Sequence, residues 1–231
     1  MKQAIEFRCQ QYDQLVTTAR KRSISHQFIF VQSGMVLVRL GRSEFPVLAN
    51  QGFWLSFDCL YSLTILPGSR VCQTEVSVRV QDHLPEHTGY VELSPFVIAL
   101  VQELAIQQQA GNFKQRTDSR WSNLVKVLCD YAREFKPDLE TKLTESLRSI
   151  TSAVSTITSN GQLSPKEESA LNSTGFQTAE VRTALQVREW IKSLKSGGNS
   201  KKLANEAGLP EPLFKSLLES VGGYNLENKH Q

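Results

Sequence analysis

The chain has 231 residues, 40% of them hydrophobic and 21% charged, as in ordinary globular proteins with room for one or two domains. No apolar run approaches the roughly 20 residues that span a bilayer, and the start MKQAIEFRCQ has no apolar signal core. The expectation is a cytoplasmic protein without membrane association. Its formal net charge of +3 permits nucleic-acid binding without arguing for it.

Residues 1 to about 80 read as short strands. HQFIFVQSGMVLVRL, from His26 to Leu40, is two β-rich segments split at Ser33-Gly34, which predicts a hairpin. Further strands are predicted at Glu44 to Leu48, Gly52 to Phe57 and Leu60 to Leu66. A turn at Pro67-Gly68 then leads into a last strand from Val71 to Val80. Strands this short and evenly spaced suggest a small sandwich or barrel of the jelly-roll kind.

The period then changes. Residues 94 to 109 open with Ser94 as N-cap and Pro95 in the first turn, and Phe96, Leu100 and Leu104 share a face. A polar stretch from Ala110 to Asp118 breaks this helix. Residues 119 to 135 predict a second helix with the stripe Trp121, Leu124, Val125, Leu128 and Ala132. That stripe suits either a dimer interface or packing on the chain's own barrel, and a homodimer is expected.

Pro137 marks a boundary, with Asp138 placed to cap a helix carrying Leu139, Leu143, Leu147, Ile150, Val154 and Ile157. Asn160-Gly161 stops it. Ser164-Pro165-Lys166-Glu167 is a capping box. Thr178 is expected to cap a long helix bearing Val181, Leu185, Trp190, Ile191 and Leu194, which ends at Gly197-Gly198. The expected fold class is therefore α+β. The domains expected are a barrel over 1–82, helices for dimerisation over 83–136, and a helical domain over 137–231.

The most informative segment is NSKKLANEAGLPEPLFKSLLESVGGY, from Asn199 to Tyr224. Ser200 is placed to cap a short helix with Ala204 at a close crossing. Gly208 permits a tight turn, Leu209 fills the corner, and Phe214, Leu217, Leu218 and Val221 form the apolar face of the next helix. This is a helix-turn-helix pattern, or an αα-hairpin used only for packing.

These residues resemble a helix-turn-helix unit of the AraC-type transcription regulators, with Ala207-Gly208-Leu209 at the turn and Gly222-Gly223 at the exit. The stretches FIFVQSGMVLVRLG and GFWLSFDCLYSLTILPGS are similar to that family's cupin-like effector barrel, and Leu93-Ser94-Pro95 resembles the usual entry to the helix that follows. The resemblance implies a regulator whose barrel senses a ligand or partner and whose C-terminal helices bind duplex DNA. A related alternative is a protein-interaction module without specific DNA binding.

There are departures from the family. The family carries two helix-turn-helix units joined by a long helix. Here Ser164 to Gln186, with Gly175-Phe176 at its turn, is either a worn first unit followed by a short connection over Val187 to Leu194, or no unit at all. Residues 160–231 hold nine Lys and Arg against eight Asp and Glu, a weak charge for a DNA binder.

Lys201, Lys202, Lys215 and Ser216 are the candidate DNA contacts, with Lys192 and Lys195 near the Gly197-Gly198 turn. Glu211 and Glu219 oppose phosphate. Arg20-Lys21-Arg22 reads as a solvated turn. Phe28, Phe30, Trp54 and Tyr61, with Phe53 and Phe57, either line an effector pocket or fill a core.

No enzyme is expected and no cofactor or metal. His26 stands alone among the strands, and His83 and His87 read as a chance surface pair. P-loop, GxSxG and HExxH motifs are absent. Cys9, Cys59, Cys72 and Cys129 form no CxxC pair and read as buried thiols, Asp58-Cys59 included.

Overall fold

The computed structural model describes residues 5–80, 83–110, 119–140 and 144–226. Two antiparallel sheets form a sandwich. The first has strand order β1 (Ile5–Tyr12), β9 (Ser69–Ser77), β4 (Ser25–Ser33), β7 (Gly52–Leu55) and β10 (Gly89–Val91). The second has β2 (Val16–Thr17), β8 (Leu60–Ile65), β5 (Met35–Leu40) and β6 (Ser43–Leu48), with β3 (Lys21–Arg22) also paired to β8. The predicted hairpin is therefore split: β4 and β5 lie in different sheets. Gly34 makes the turn between them with φ +86°, and a side chain there would collide with Ser69.

Alternation is weak in the sequence because both faces of each sheet are covered. In β4, Ile29 and Val31 point between the sheets and meet Val36, Val38, Phe53, Leu55 and Leu63. Phe28 and Phe30, on the opposite face, meet Trp54 and the helices α1 (Pro95–Gln109) and α2 (Ser119–Ala132). Ser94 caps α1 as expected, its hydroxyl accepting from the Val97 N–H at 3.3 Å.

The outer face of the second sheet carries α3 (Glu145–Thr158), α4 (Pro165–Asn172), α5 (Thr178–Lys195), α6 (Ser200–Glu206) and α7 (Glu211–Ser220). Leu15, Met35, Leu37 and Leu66 from the strands share one core with Ile150, Val154, Val181, Leu185, Phe214 and Leu218. These shared side chains make the helical layer part of the sandwich's own core.

Several sequence expectations are corrected. The boundary at 82 falls before β10, which completes the first sheet. The boundary at 136 is no free linker: Asp138 exchanges backbone hydrogen bonds with Tyr90 at 2.9 and 3.1 Å. The Asp138 carboxylate accepts from the Glu140 N–H at 2.6 Å, and the cap of α3 is Thr144, whose side chain accepts from the Leu147 N–H. Leu143 and most of the polar stretch after Ala110 lie outside the described residues. The cap of α5 is Gln177 and that of α6 is Asn199, one residue before Thr178 and Ser200 in each case. The capping box at Ser164–Glu167 forms as read. Among the described residues, no helix is long and apolar enough to cross a membrane.

Candidate functional site

The aromatic set does not line one cavity. Phe28, Phe30 and Trp54 are buried beneath α1 and α2, while Tyr61 sits on the other side of the first sheet, between the sheets. Strand alternation separates them: Phe28, Phe30 and Trp54 project to one face, and Tyr61 projects inward from the second sheet. The Tyr61 hydroxyl donates to Gln27 Oε1 at 3.0 Å, and burial pushes its pKa up. The Trp54 indole donates to the Pro85 carbonyl at 2.9 Å and stacks on His26 at 5.6 Å. Burial pushes the His26 imidazole pKa down, against the opposing charge of Glu86. The pocket reading of these four residues is replaced by a filled core.

The helix stripe is corrected likewise. Trp121, Val125 and Leu128 are buried against the first sheet, with Leu124 half-buried beside them. Trp121 meets Phe7 edge to face at 5.6 Å. The apolar surface of Trp121, Val125 and Leu128 is used within the chain, which leaves Leu124 alone of the four partly open.

Space for a small ligand lies instead where the helices meet the sandwich. A cavity of about 480 Å³ is lined by Leu66, Pro67, Gly68, Phe176, Val181, Ala184 and Val221, with Glu180 and Thr183 among its polar neighbours. Its volume falls in the range of roughly 300–1,000 Å³ typical of ligand sites. Glu180 is already engaged, accepting from the Gln177 N–H at 3.1 Å.

The same helix carries a residue that pattern reading missed. Arg188 is fully buried. Its guanidinium donates to Glu44 of β6 at 2.8 Å, to Glu189 at 2.8 Å, to Thr64 of β8 at 3.2 Å and to Thr158 of α3 at 3.4 Å. Burial raises the Glu189 pKa, but Lys192 and Arg188 outweigh it and hold the carboxyl below its usual range. A signal was present: position 188 continues the stripe of Val181, Leu185 and Ile191 at helical spacing.

The C-terminal pair of helices is well built. The Asn199 side chain accepts from the backbone N–H groups of Lys201 and Lys202 at 2.9 and 3.2 Å. At the end of α6, Gly208 takes φ +67°, its N–H reaches the Asn205 carbonyl, and the Leu209 N–H reaches the Ala204 carbonyl, both at 3.0 Å. This left-handed helix stop sets the angle into α7. Phe214 and Leu218 are buried, Phe214 against Trp190 at 4.8 Å, which turns Lys215 and Ser216 outward.

Lys201, Lys202, Lys215 and Ser216 are thus all exposed on the α6–α7 unit. Two of the lysines are held by acids one helical turn away: Lys202 with Glu206 at 3.8 Å and Lys215 with Glu211 at 3.2 Å. The earlier candidate unit differs. Gly175, with φ +86°, does join α4 to α5, but α5 runs unbroken from Thr178 to Lys195 with Val181, Ala184, Leu185, Val187 and Arg188 buried. Residues 187–194 are its second half, not a separate connection.

The cluster at Arg20-Lys21-Arg22 is strand rather than turn at Lys21 and Arg22. Arg22 pairs with Asp58 at 2.8 Å, and the Lys21 ammonium lies 6.0 Å from the Tyr61 ring centroid. Among the described residues, no three His, Cys, Asp or Glu side chains group as metal ligands would.

No protein-family model matches the chain, and no protein of curated function matches it by sequence. Solved structures resemble it distantly. Apo ToxT from Vibrio cholerae, in a variant form, has a TM-score of 0.41 at 13% identity, covering 98% of this chain and 96% of that one. ToxT from the same organism bound to (E)-4-(8-methylnaphthalen-1-yl)but-3-enoic acid has a TM-score of 0.37 at 13% identity, covering 95% of each chain. A cupin superfamily protein from Desulfitobacterium hafniense has a TM-score of 0.31 at 2% identity, covering 33% of this chain and 71% of that one.

Proposed function

We propose that the protein is a non-enzymatic, cytoplasmic regulator of AraC type. Its α6–α7 helix-turn-helix contacts duplex DNA weakly, and its effector, a small apolar molecule, enters the cavity between α5 and the Leu66–Gly68 turn. The observation that carries the reading is the α6–α7 unit itself. Its turn is fixed by Gly208, its inner face is buried through Phe214 and Leu218, and its outer face presents Lys201, Lys202, Lys215 and Ser216. Exposed lysines of this kind bind phosphate, and side chains on the second helix of such a unit face the groove. The binding is weak because Glu206 and Glu211 already neutralise two of the cations.

The test is binding to random duplex across a salt series. Three phosphate contacts give a log-log slope of about −2.7 per protomer. Lys215→Ala should lower its magnitude by about one unit. If the triple variant Lys201→Ala, Lys202→Ala, Lys215→Ala binds as well as the wild type, or neither binds at low salt, the reading fails.

A second reading then takes its place: a module that docks on another protein through the same face. The Lys–Glu pairs favour it, since they leave that face nearly neutral, and so does the exposed Leu213, 48% accessible on α7.

A further inference from the structure

The four cysteines are scattered in the sequence, yet the sheet brings two of them together. Strands β1 and β9 pair antiparallel in a register that sets Cys9 directly opposite Cys72. Both side chains lie on the sheet face that packs against α1 and α2. Directly opposed residues in such a ladder have Cα atoms about 4.5 or 5.5 Å apart. Both values fall inside the window of about 4.4–6.8 Å that a disulfide spans. The Cys9 thiol donates to Gln32 Oε1 at 3.8 Å, and Arg70 of β9 lies two residues before Cys72 on the same strand. Cys72 is fully buried, while Cys9 is partly exposed and gives access from solvent.

We propose that Cys9 and Cys72 are a reversible redox pair: a hydroperoxide oxidises Cys9, and Cys72 resolves it as a disulfide across β1 and β9. In the first step the Cys9 thiolate attacks the terminal OH oxygen of the hydroperoxide, the O–O bond breaks, Cys9 becomes a sulfenic acid and the alkoxide leaves, or hydroxide where the oxidant is hydrogen peroxide. In the second, the Cys72 sulfur attacks the Cys9 sulfur, the S–O bond breaks, and the Cys72 proton departs with the oxygen as water. The peroxide is reduced by two electrons, one from each sulfur in the final bond.

The electrostatics divide the roles. The pair and Arg70 pull the Cys9 pKa down against burial, while burial helps push the Cys72 thiol up. Cys9 is also the half-exposed member and Cys72 the buried one, so Cys9 is the attacking group on peroxide and Cys72 the resolving partner. The Gln108 side chain of α1 holds the Cys9 backbone through both its N–H, at 2.7 Å, and its carbonyl, at 3.4 Å, which couples the pair to that helix.

The experiment treats the full chain with hydrogen peroxide, blocks free thiols, and maps peptides by mass spectrometry without reduction. The expected product is a Cys9–Cys72 cross-linked peptide that dithiothreitol removes. It should persist in a Cys59→Ser, Cys129→Ser background and vanish in Cys9→Ser. Cys72→Ser should instead leave a sulfenic acid at Cys9 that dimedone traps. Cys9 oxidised without linkage to Cys72, a bridge to another cysteine, or four thiols unchanged by excess peroxide would each overturn the proposal. Because no DNA or effector enters this assay, its outcome is independent of the regulatory reading.

Discussion

Replacing Arg188 with Met tests whether the helical layer is locked to the sandwich by the buried ion pair. The Arg188 side chain has no solvent exposure and that of Glu44 only 11%, so solvent hardly screens their 2.8 Å contact. Glu189 is 46% exposed, and its contact with Arg188 adds about 0–1 kcal/mol. Arg188→Met keeps most of the volume but strands Glu44 beneath α5, and breaking a buried pair in this way costs about 3–5 kcal/mol. With a urea slope of about 2 kcal/mol/M, the unfolding midpoint should fall by about 1.5–2.5 M. The double variant Arg188→Met, Glu44→Leu removes both charges and should return to within about 1 kcal/mol of the wild type. The assay is urea unfolding followed by tryptophan fluorescence on both singles and the double. A midpoint shift below about 0.5 M in Arg188→Met, or strictly additive losses in the double, would refute a coupled buried pair.

The remaining predictions concern other layers. Trp121→Ala should cost about 3–5 kcal/mol of stability, because the ring fills the core against Phe7. Its sizing profile under native conditions should match the wild type; loss of a dimer without loss of stability would restore the interface reading of that helix. Glu167 accepts hydrogen bonds from the Ser152 hydroxyl and from the Ser164 backbone and hydroxyl, which hold its pKa at about 2, below the ordinary 4.5. A depressed carboxylate contributes stability above about pH 4.5 and loses it as pH falls toward 2. Glu167→Gln should therefore flatten the stability profile over that window, measured by thermal unfolding from pH 6 to 2, and an unchanged acid slope would count against the capping network. The triple lysine variant and the peroxide map test the proposed DNA-contacting face and the proposed thiol pair.

Local chemistry made much of this legible. Ser94-Pro95, the Ser164–Glu167 box and Gly208 each satisfy or stop a backbone within a few residues, so the sequence carries the whole signal. Strands from His26 to Leu66 were visible for the same reason. Strand β1, IEFRCQQY, was not resolved as an element because its partner β9 lies some sixty residues away and its own residues are largely polar. Nor does a stripe announce what it packs against: Trp121, Val125 and Leu128 suit a second subunit or the chain's own sheet equally well. The aromatic residues posed the same problem, because a filled core and a lined pocket use the same side chains. Cys9 and Cys72 needed register, which only the folded sheet supplies.

At the far end of the molecule, the chain just after β1 grips the exit of α7. The Leu15 N–H donates to the Val221 carbonyl at 2.7 Å, and Gln14 Nε2 donates to the Glu219 carbonyl at 3.0 Å. The outward-facing helix is therefore aimed rather than tethered. Its orientation follows that of the sandwich. A partner that seizes the sandwich sets the angle at which α7 is presented, and one that prises the segment after β1 loose removes that hold.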